Sequence, residues 1–267
     1  MKTAILVTTY NWPSALKWVL FSITQQARLP DEVVVADDGS TEATRVCCEQ
    51  FSDRLPLRHV WQPDSGFRAA RVRNLAMSSI HSDHVIMIDG DCLLPPDFVA
   101  NHRQLIQPGR IVSGGRLLVS PSETTALLSQ EPLLAKLKFK EQKFKRWPLG
   151  PLRDLSQRNW RMVRTCNLGV LMSDVLNVGG FDERFVGWGL EDSDFVVRLL
   201  NAGIRIRNGR QAVSVKHLHH TEGKNHISER NIALFKETRE ARSSGKPIQS
   251  MFNHDVRDFG PLYRQDH

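Results

Sequence analysis

The sequence predicts an α/β protein: a single, mostly parallel Rossmann-like sheet flanked by helices. In the first 120 residues short apolar runs alternate with helix-period segments, the order expected of parallel strands joined by crossover helices. The residues that follow these runs are polar and acidic, as expected where the strand ends of an open sheet face a ligand. A chain of 267 residues with 40% hydrophobic and 24% charged residues is long and apolar enough for one large domain with its own core.

Taken in order, strand-like Ala4 to Val7 precedes helical Ser14 to Gln26, and strand-like Glu32 to Ala36 precedes helical Glu42 to Phe51. Leu57 to Trp61 then pairs with helical Ala69 to Ser79, and Val85 to Ile88 with helical Phe98 to Ile106. A different texture begins near Pro121. Pro132 opens a helix that Pro148 stops, with Leu133, Leu137, Phe144 and Trp147 on one face and lysines over much of the rest. The core-like pattern resumes from Cys166 to Met172, takes helical spacing from Phe195 to Leu200, and ends with Ala212 to Val215. After Arg239 the polar tail reads as a helix end and loosely held chain.

No apolar run is long enough for a signal peptide or a membrane span. The four cysteines, Cys47, Cys48, Cys92 and Cys166, lack zinc-like spacing and are expected as unbridged thiols in a reducing compartment, which places the chain in the cytoplasm. The net charge of +7 is concentrated: residues 136–164 hold ten Lys or Arg against Glu141 and Asp154, a local +8. Three readings fit this segment, in which Phe139, Phe144 and Trp147 interleave with five lysines and Arg146. It is an amphipathic surface for an anionic membrane, a dock for an acidic acceptor, or a solvated face. Confined charge without a helix-turn-helix, zinc-finger or RNA-binding motif argues against a nucleic-acid partner. A dinucleotide oxidoreductase is disfavoured because no G-x-G-x-x-G follows the first strand.

Two carboxylates, Asp89 and Asp91, emerge around Gly90 at the end of the Val85 to Ile88 run. Such a pair suits Mg²⁺ or Mn²⁺, which take one or two protein oxygens and leave the remaining positions to phosphates and water. Spacing alone is also compatible with an ordinary turn. Other polar strand ends accompany the pair: Val7-Thr8-Thr9-Tyr10-Asn11, Val34-Val35-Ala36-Asp37-Asp38-Gly39-Ser40 and Arg73-Asn74. Further on come Gly180-Phe181-Asp182-Glu183 and Gly187-Trp188-Gly189-Leu190-Glu191-Asp192.

In this order, from about Thr3 to about His220, these motifs resemble those of family 2 glycosyltransferases with the GT-A fold. The C-terminal block is similar to that of galactosyltransferases, chondroitin-type polymerases and bacterial surface-polysaccharide or lipopolysaccharide core transferases. The resemblance implies residues 1–120 as the nucleotide-sugar-binding half, 121–164 as a basic amphipathic insertion, 165–239 as the acceptor and catalytic half, and 240–267 as a tail. It implies that Thr8, Tyr10 and Asp38 hold base and ribose, that Arg68 and Arg73 help hold base or diphosphate, that Asp91 contacts the metal, and that Asp89 contacts ribose or metal. Thr8 and Asp38 also suit helix capping or turn formation. By the same resemblance Asp192 is the general base and Glu191 binds acceptor hydroxyls, while Trp188 offers a flat face to a sugar ring. Capping of the helix by Asp192 is the plainer alternative.

His217 is favoured to complete the metal site, with His219 as the alternative on the same side of a continued strand. Some relatives have Gly-Gly-Glu-Asp where this chain has Gly189-Leu190-Glu191-Asp192, so acceptor identity does not carry across. The implied function is inverting transfer of a sugar from a nucleoside diphosphate, by resemblance UDP, to a glycan or glycolipid hydroxyl in surface polysaccharide or lipopolysaccharide synthesis. Mn²⁺ or Mg²⁺ is the expected cofactor, and attachment through 136–164 to the inner face of a membrane is the expected peripheral partner. A sugar- or nucleotide-binding protein on a decayed transferase fold is the main rival; keeping both acidic pairs disfavours it.

Overall fold

Residues 1–132, 159–221 and 226–244 are described by a computed structural model. The helix expected from Pro132 to Pro148, and with it most of the basic segment, lies outside the described residues. Four strands form the parallel half of a sheet: β1 (Thr3–Thr9), β2 (Glu32–Asp37), β3 (Leu57–Trp61) and β4 (His84–Asp89), in the order β3-β2-β1-β4. Their connections carry α1 (Pro13–Thr24), α2 (Glu42–Glu49) and α3 (Ala69–Met77), and α4 (Phe98–Leu105) follows β4. These are the eight elements that hydrophobic spacing predicts.

Successive side chains of a strand point to opposite faces, so each central strand feeds two apolar layers. Ile5 and Val7 pack with Trp18, Leu20, Phe51 and Phe98 on one face. Ala4 and Leu6 pack with Val72, Ala76, Phe181 and Phe195 on the other. Burial on both faces explains why β1 and β4 read as continuous apolar runs.

Past β4 the sheet turns mixed. The strand β8 (Asn167–Leu171) runs antiparallel to β4, β6 (Arg110–Ser113) antiparallel to β8, and β9 (Arg205–Asn208) parallel to β6. The result is a seven-stranded sheet in the order β3-β2-β1-β4-β8-β6-β9. The sheet expected to be single has a small companion of three strands, β5 (Cys92–Leu93), β10 (Ser214–His217) and β7 (Gly115–Leu118). Three of the remaining helices are α5 (Pro121–Leu128), α6 (Met172–Asn177) and α7 (Glu191–Asn201). The last, α8 (Glu229–Ser244), continues past Arg239. The cysteines are buried and unbridged. Burial pushes the Cys47 thiol up to about 11, so it stays protonated.

One polar residue, Asn167, ties the two sheets together. Asn167, buried at the start of β8, donates through Nδ2 to the Gly115 carbonyl at 2.9 Å and the Val213 carbonyl at 2.6 Å, and its backbone carbonyl accepts from Gly114. Its Oδ1 meets His102 Nε2 at 3.2 Å, which brings in α4. His102 lies beside His84 of β4, ring centroids 6.1 Å apart, under Gly169. A Cβ on Gly169 would come within 2.7 Å of His102 Nδ1.

Burial lowers both imidazoles to about 3, so both are neutral in the fold. An unfolded histidine titrates near about 6.5. The stability gained by keeping these rings neutral is therefore full above that pH and is lost as pH falls from there toward 3. Each ring adds a slope of about 1.4 kcal/mol per pH unit in that window. In urea titrations between pH 4 and 6.5, His102→Asn should have a shallower pH dependence than the parent by roughly one proton's worth. An unchanged slope would mean that this ring is charged in the fold.

Candidate active site

The carboxyl ends of β1, β2 and β4 open on the same side, and short backbone contacts bind their loops together. Beyond β1 the chain bends at Asn11, whose φ of 45° is held by two contacts from the β2 loop. Ser40 Oγ accepts from Asn11 N–H at 2.8 Å, and Asn11 Oδ1 accepts from Thr41 N–H at 2.9 Å. Asp38 is buried, and its carboxylate holds the 62–68 loop by accepting from Gln62 Nε2 and from Arg68 N–H at 2.7 Å. Burial raises the Asp38 pKa against the pull of these donors. Tyr10 is exposed and donates its hydroxyl to Asp64 at 2.9 Å, so Asp64 joins this end of the site.

At the end of β4, Gly90 N–H donates to the Thr8 carbonyl at 2.7 Å. A Cβ at position 90 would meet Thr9 Oγ1 at 2.8 Å, so glycine lets the acidic loop lie against β1. Asp91 is buried, and its carbonyl accepts from Leu218 N–H at 2.9 Å, which anchors the exit of β10 beside it. His217 Nε2 and His220 Nε2 each stand 3.4 Å from Asp91 Oδ2. Ligand atoms of Asp91, His217 and His220 all lie within 4.8 Å of one another.

The donor set fits a divalent ion. Burial, and then the charge of Asp89, push the Asp91 carboxyl up to about 7, an imbalance that a cation relieves. Burial, and then Arg116, lower His217 to about 4, which leaves its ring neutral with a lone pair to give. Two imidazoles beside one carboxylate favour Mn²⁺ over Mg²⁺, which prefers oxygen throughout. His219 does not join them: the chain leaves the strand after His217, alternation stops, and His219 is fixed through its N–H to Thr124 Oγ1. His220 takes the place expected of His219, and the sequence reading missed it because a turn has no fixed side-chain period.

A buried arginine organises the remaining acids. Arg73 of α3 donates from Nε to Thr8 Oγ1 at 3.1 Å and from Nη1 to Glu191 Oε1 at 3.2 Å. Its Nη2 lies 3.7 Å from Asp89 Oδ1, and the guanidinium stands over the Phe181 ring. Arg73, expected to help hold base or diphosphate, bonds to these protein partners in the structure; Arg68, half-buried, stands at the N-terminal boundary of α3 without a side-chain capping hydrogen bond. Glu191, expected to reach acceptor hydroxyls, is buried against Arg73, and its Oε2 has no hydrogen-bond partner among the described residues. Burial and neighbouring Asp192 raise its pKa, while Arg73 pulls it down. Lost solvation raises Asp89 likewise, opposed by Arg73 and reinforced by Asp192.

The cap of α7 is Leu190 at φ 76°, so Asp192 sits inside the first turn and does not cap the helix. The strained Leu190 packs beside Phe185, Val197, Leu234 and Phe235. Trp188 is 45% exposed, and its loop is joined to the 62–68 loop by Gly187 N–H donating to the Phe67 carbonyl.

Removing the arginine charge leaves three mutually repelling acids, two of them deprived of a partner. Arg73→Gln should therefore cost about 3 kcal/mol in chemical denaturation. Adding Glu191→Gln should restore part of it. Full stability of the single variant would show that the guanidinium is dispensable.

Solved structures share this architecture. Staphylococcus aureus TarS, residues 1–349, in complex with UDP matches with a TM-score of 0.66 at 18% identity, covering 94% of this chain and 68% of that one. The fold is GT-A. Residues 4–164 match Glycosyl transferase family 2, and residues 156–221 match the family described as the N-terminal domain of galactosyltransferase. The chain belongs to glycosyl transferase family 2. It is 29% identical over 235 residues to validoxylamine A glucosyltransferase of Streptomyces hygroscopicus subsp. limoneus, covering 81% of this chain and 51% of that protein. With the chondroitin synthase of Escherichia coli it shares 28% over 232 residues, 79% of this chain and 34% of that one. The chain thus spans about half or less of the length of these two relatives.

Proposed function

We propose that this chain is an inverting, metal-dependent glycosyltransferase that moves a sugar from UDP to a hydroxyl of a glycan or glycolipid. The reading rests on the convergence of Asp89, Asp91, Glu191 and Asp192 with His217 and His220 at the strand ends. Family membership and the resemblance to a UDP-bound fold support it, as does the sugar-transfer chemistry in the relatives' names. A merely sugar-binding protein has no use for so many crowded acids, which oppose folding.

Thr8, Tyr10, Asp38 and Arg68 line the donor side, where an exposed aromatic face and a rigid loop receive base and ribose. Asp91, His217 and His220 hold Mn²⁺, which when bound supplies positive charge for the departing diphosphate. Arg73 fixes Asp89 and Glu191 in place. Asp192, at the helix N-terminus beyond Glu191, accepts the proton of the attacking hydroxyl on the face opposite the leaving group, and a single displacement of this kind inverts the anomeric centre. Trp188 faces the acceptor. Among the described residues no helix is long and apolar enough to cross a membrane, and the basic segment 136–164 is the proposed contact with an anionic membrane surface.

Calorimetric titration of UDP-sugars with Mn²⁺ and with chelator tests the donor site without knowledge of the acceptor. One UDP-sugar should bind only with metal. Asp91→Ala and His220→Ala should lose that binding, and His219→Ala should keep it. Asp192→Asn should bind the donor normally while losing transfer by roughly a hundred- to ten-thousand-fold. Normal turnover by Asp192→Asn would remove it from the role of base, and no nucleotide-sugar binding at all would point to a decayed site.

A further inference from the structure

We propose that an arginine-lined pocket beside the acidic cluster binds an anionic group, phosphate or carboxylate, carried by the acceptor glycan. The proposal rests on the transferase reading, since it assigns the pocket to an acceptor. The pocket encloses about 560 Å³, within the range of small-ligand sites, and its lining includes Arg116, Arg161, Arg164 and Arg210 with Leu117 and Met162. These arginines come from three separate stretches: β7, the turn that enters β8, and the turn before β10.

The pocket is built rather than accidental. Arg164 Nη1 donates to the carbonyls of Arg161 at 3.1 Å and Val163 at 2.8 Å, which fixes the turn. Arg161 stacks over Trp160. The Arg210 carbonyl accepts from Ser214 Oγ, and Arg210 N–H donates to Asn208 Oδ1 at 3.0 Å. Asn167, which ties the two sheets together, forms part of the wall. No carboxylate among the described residues forms an ion pair with any of the four guanidinium groups. Four guanidinium groups lining one concavity repel one another, and an anion of the ligand is a group that relieves them.

Sheet order separates this anion from the donor diphosphate. The loops of β1 and β2 lie on one side of β4, whereas the pocket lies on the other, by β8, β6 and β7. It adjoins the chemistry, because the charge of Arg116 acts on Asp89, Asp91 and His217. A molecule reaching from Asp192 into the pocket would place its negative group among planar guanidinium forks suited to phosphate and carboxylate oxygens. A concave site favours a discrete glycan anion over the plane of a membrane surface.

The test titrates glucose, glucose 6-phosphate and glucuronic acid into the full chain saturated with Mn²⁺ and UDP, read by saturation-transfer NMR, with phosphatidylglycerol vesicles as a fourth probe. At least one charged sugar should bind ten-fold or more tightly than glucose, and the stronger of the two names the anion. Arg161→Gln/Arg164→Gln should lose that advantage about ten-fold with UDP binding unchanged, and Arg210→Gln should lose part of it. Equal binding of charged and neutral sugars, or no effect of the variants, overturns the proposal. Loss of UDP binding in the variants would assign the pocket to the donor, and binding to vesicles alone would assign it to a membrane; either outcome also overturns it. If the parent chain fails to bind UDP, the transferase reading falls separately, and the contrast between charged and neutral sugars still decides the pocket.

Discussion

Arg73 is the interaction on which the site depends. Its guanidinium joins the end of β1 through Thr8, the end of β4 through Asp89 and the start of α7 through Glu191. The adjacent Asn74 extends the same clamp: Nδ2 donates to the Phe181 carbonyl, Oδ1 accepts from Phe181 N–H, and Nδ2 also reaches Glu183. One turn of α3 thereby fixes the C-terminal half of the chain against the strands of the N-terminal half. A buried ion pair contributes little net stability over an apolar contact but is costly to break, so such a clamp specifies geometry more than it adds free energy.

What the clamp holds in place is an excess of negative charge. Asp89, Asp91, Glu191 and Asp192 crowd a volume partly closed to water, and their repulsion opposes folding. His217 and His220 stand beside them as imidazole donors, and Arg116 supplies positive charge nearby. Leu190 adds strain directly before the Glu191-Asp192 pair, offset by packing against α8. A further buried pair holds α7 itself: Asp194 with Arg198, whose Nη1 donates to the Val178 and Gly180 carbonyls. Acid crowding and backbone strain thus coincide where a metal, a diphosphate and an acceptor are proposed to meet.

The parallel half of the sheet was legible because buried strands are apolar from end to end, as in Ala4 to Val7 and Val85 to Ile88, and because helices separate them at regular intervals. The strand reading Arg205-Ile206-Arg207-Asn208 was not legible, since it lies at the sheet edge and holds a single apolar residue in four. Strands β5, β6 and β7 are too short to carry a period, and only the pairing partners identify them. Motif order brought Thr8, Tyr10, Asp38, Asp89, Asp91 and Asp192 to attention as strand-end and helix-start residues. It did not show that Arg73 and Glu191 turn toward each other, or that His220 rather than His219 faces Asp91, because both depend on where the chain turns in space. The arginine pocket was invisible for the same reason: Arg116 and Arg210 stand far in sequence from Arg161 and Arg164.

The central claim is a single displacement at the anomeric carbon, with Asp192 on one side and the diphosphate on the other. Water can replace the acceptor slowly, so the claim can be tested without naming the natural acceptor. The measurement is one-dimensional proton NMR of the sugar first released from an α-linked UDP-sugar by the Mn²⁺-loaded chain, followed faster than the free sugar equilibrates. The account predicts that the β-anomer appears first, and that release stops with chelator or in Asp192→Asn. Initial release of the α-anomer would contradict it.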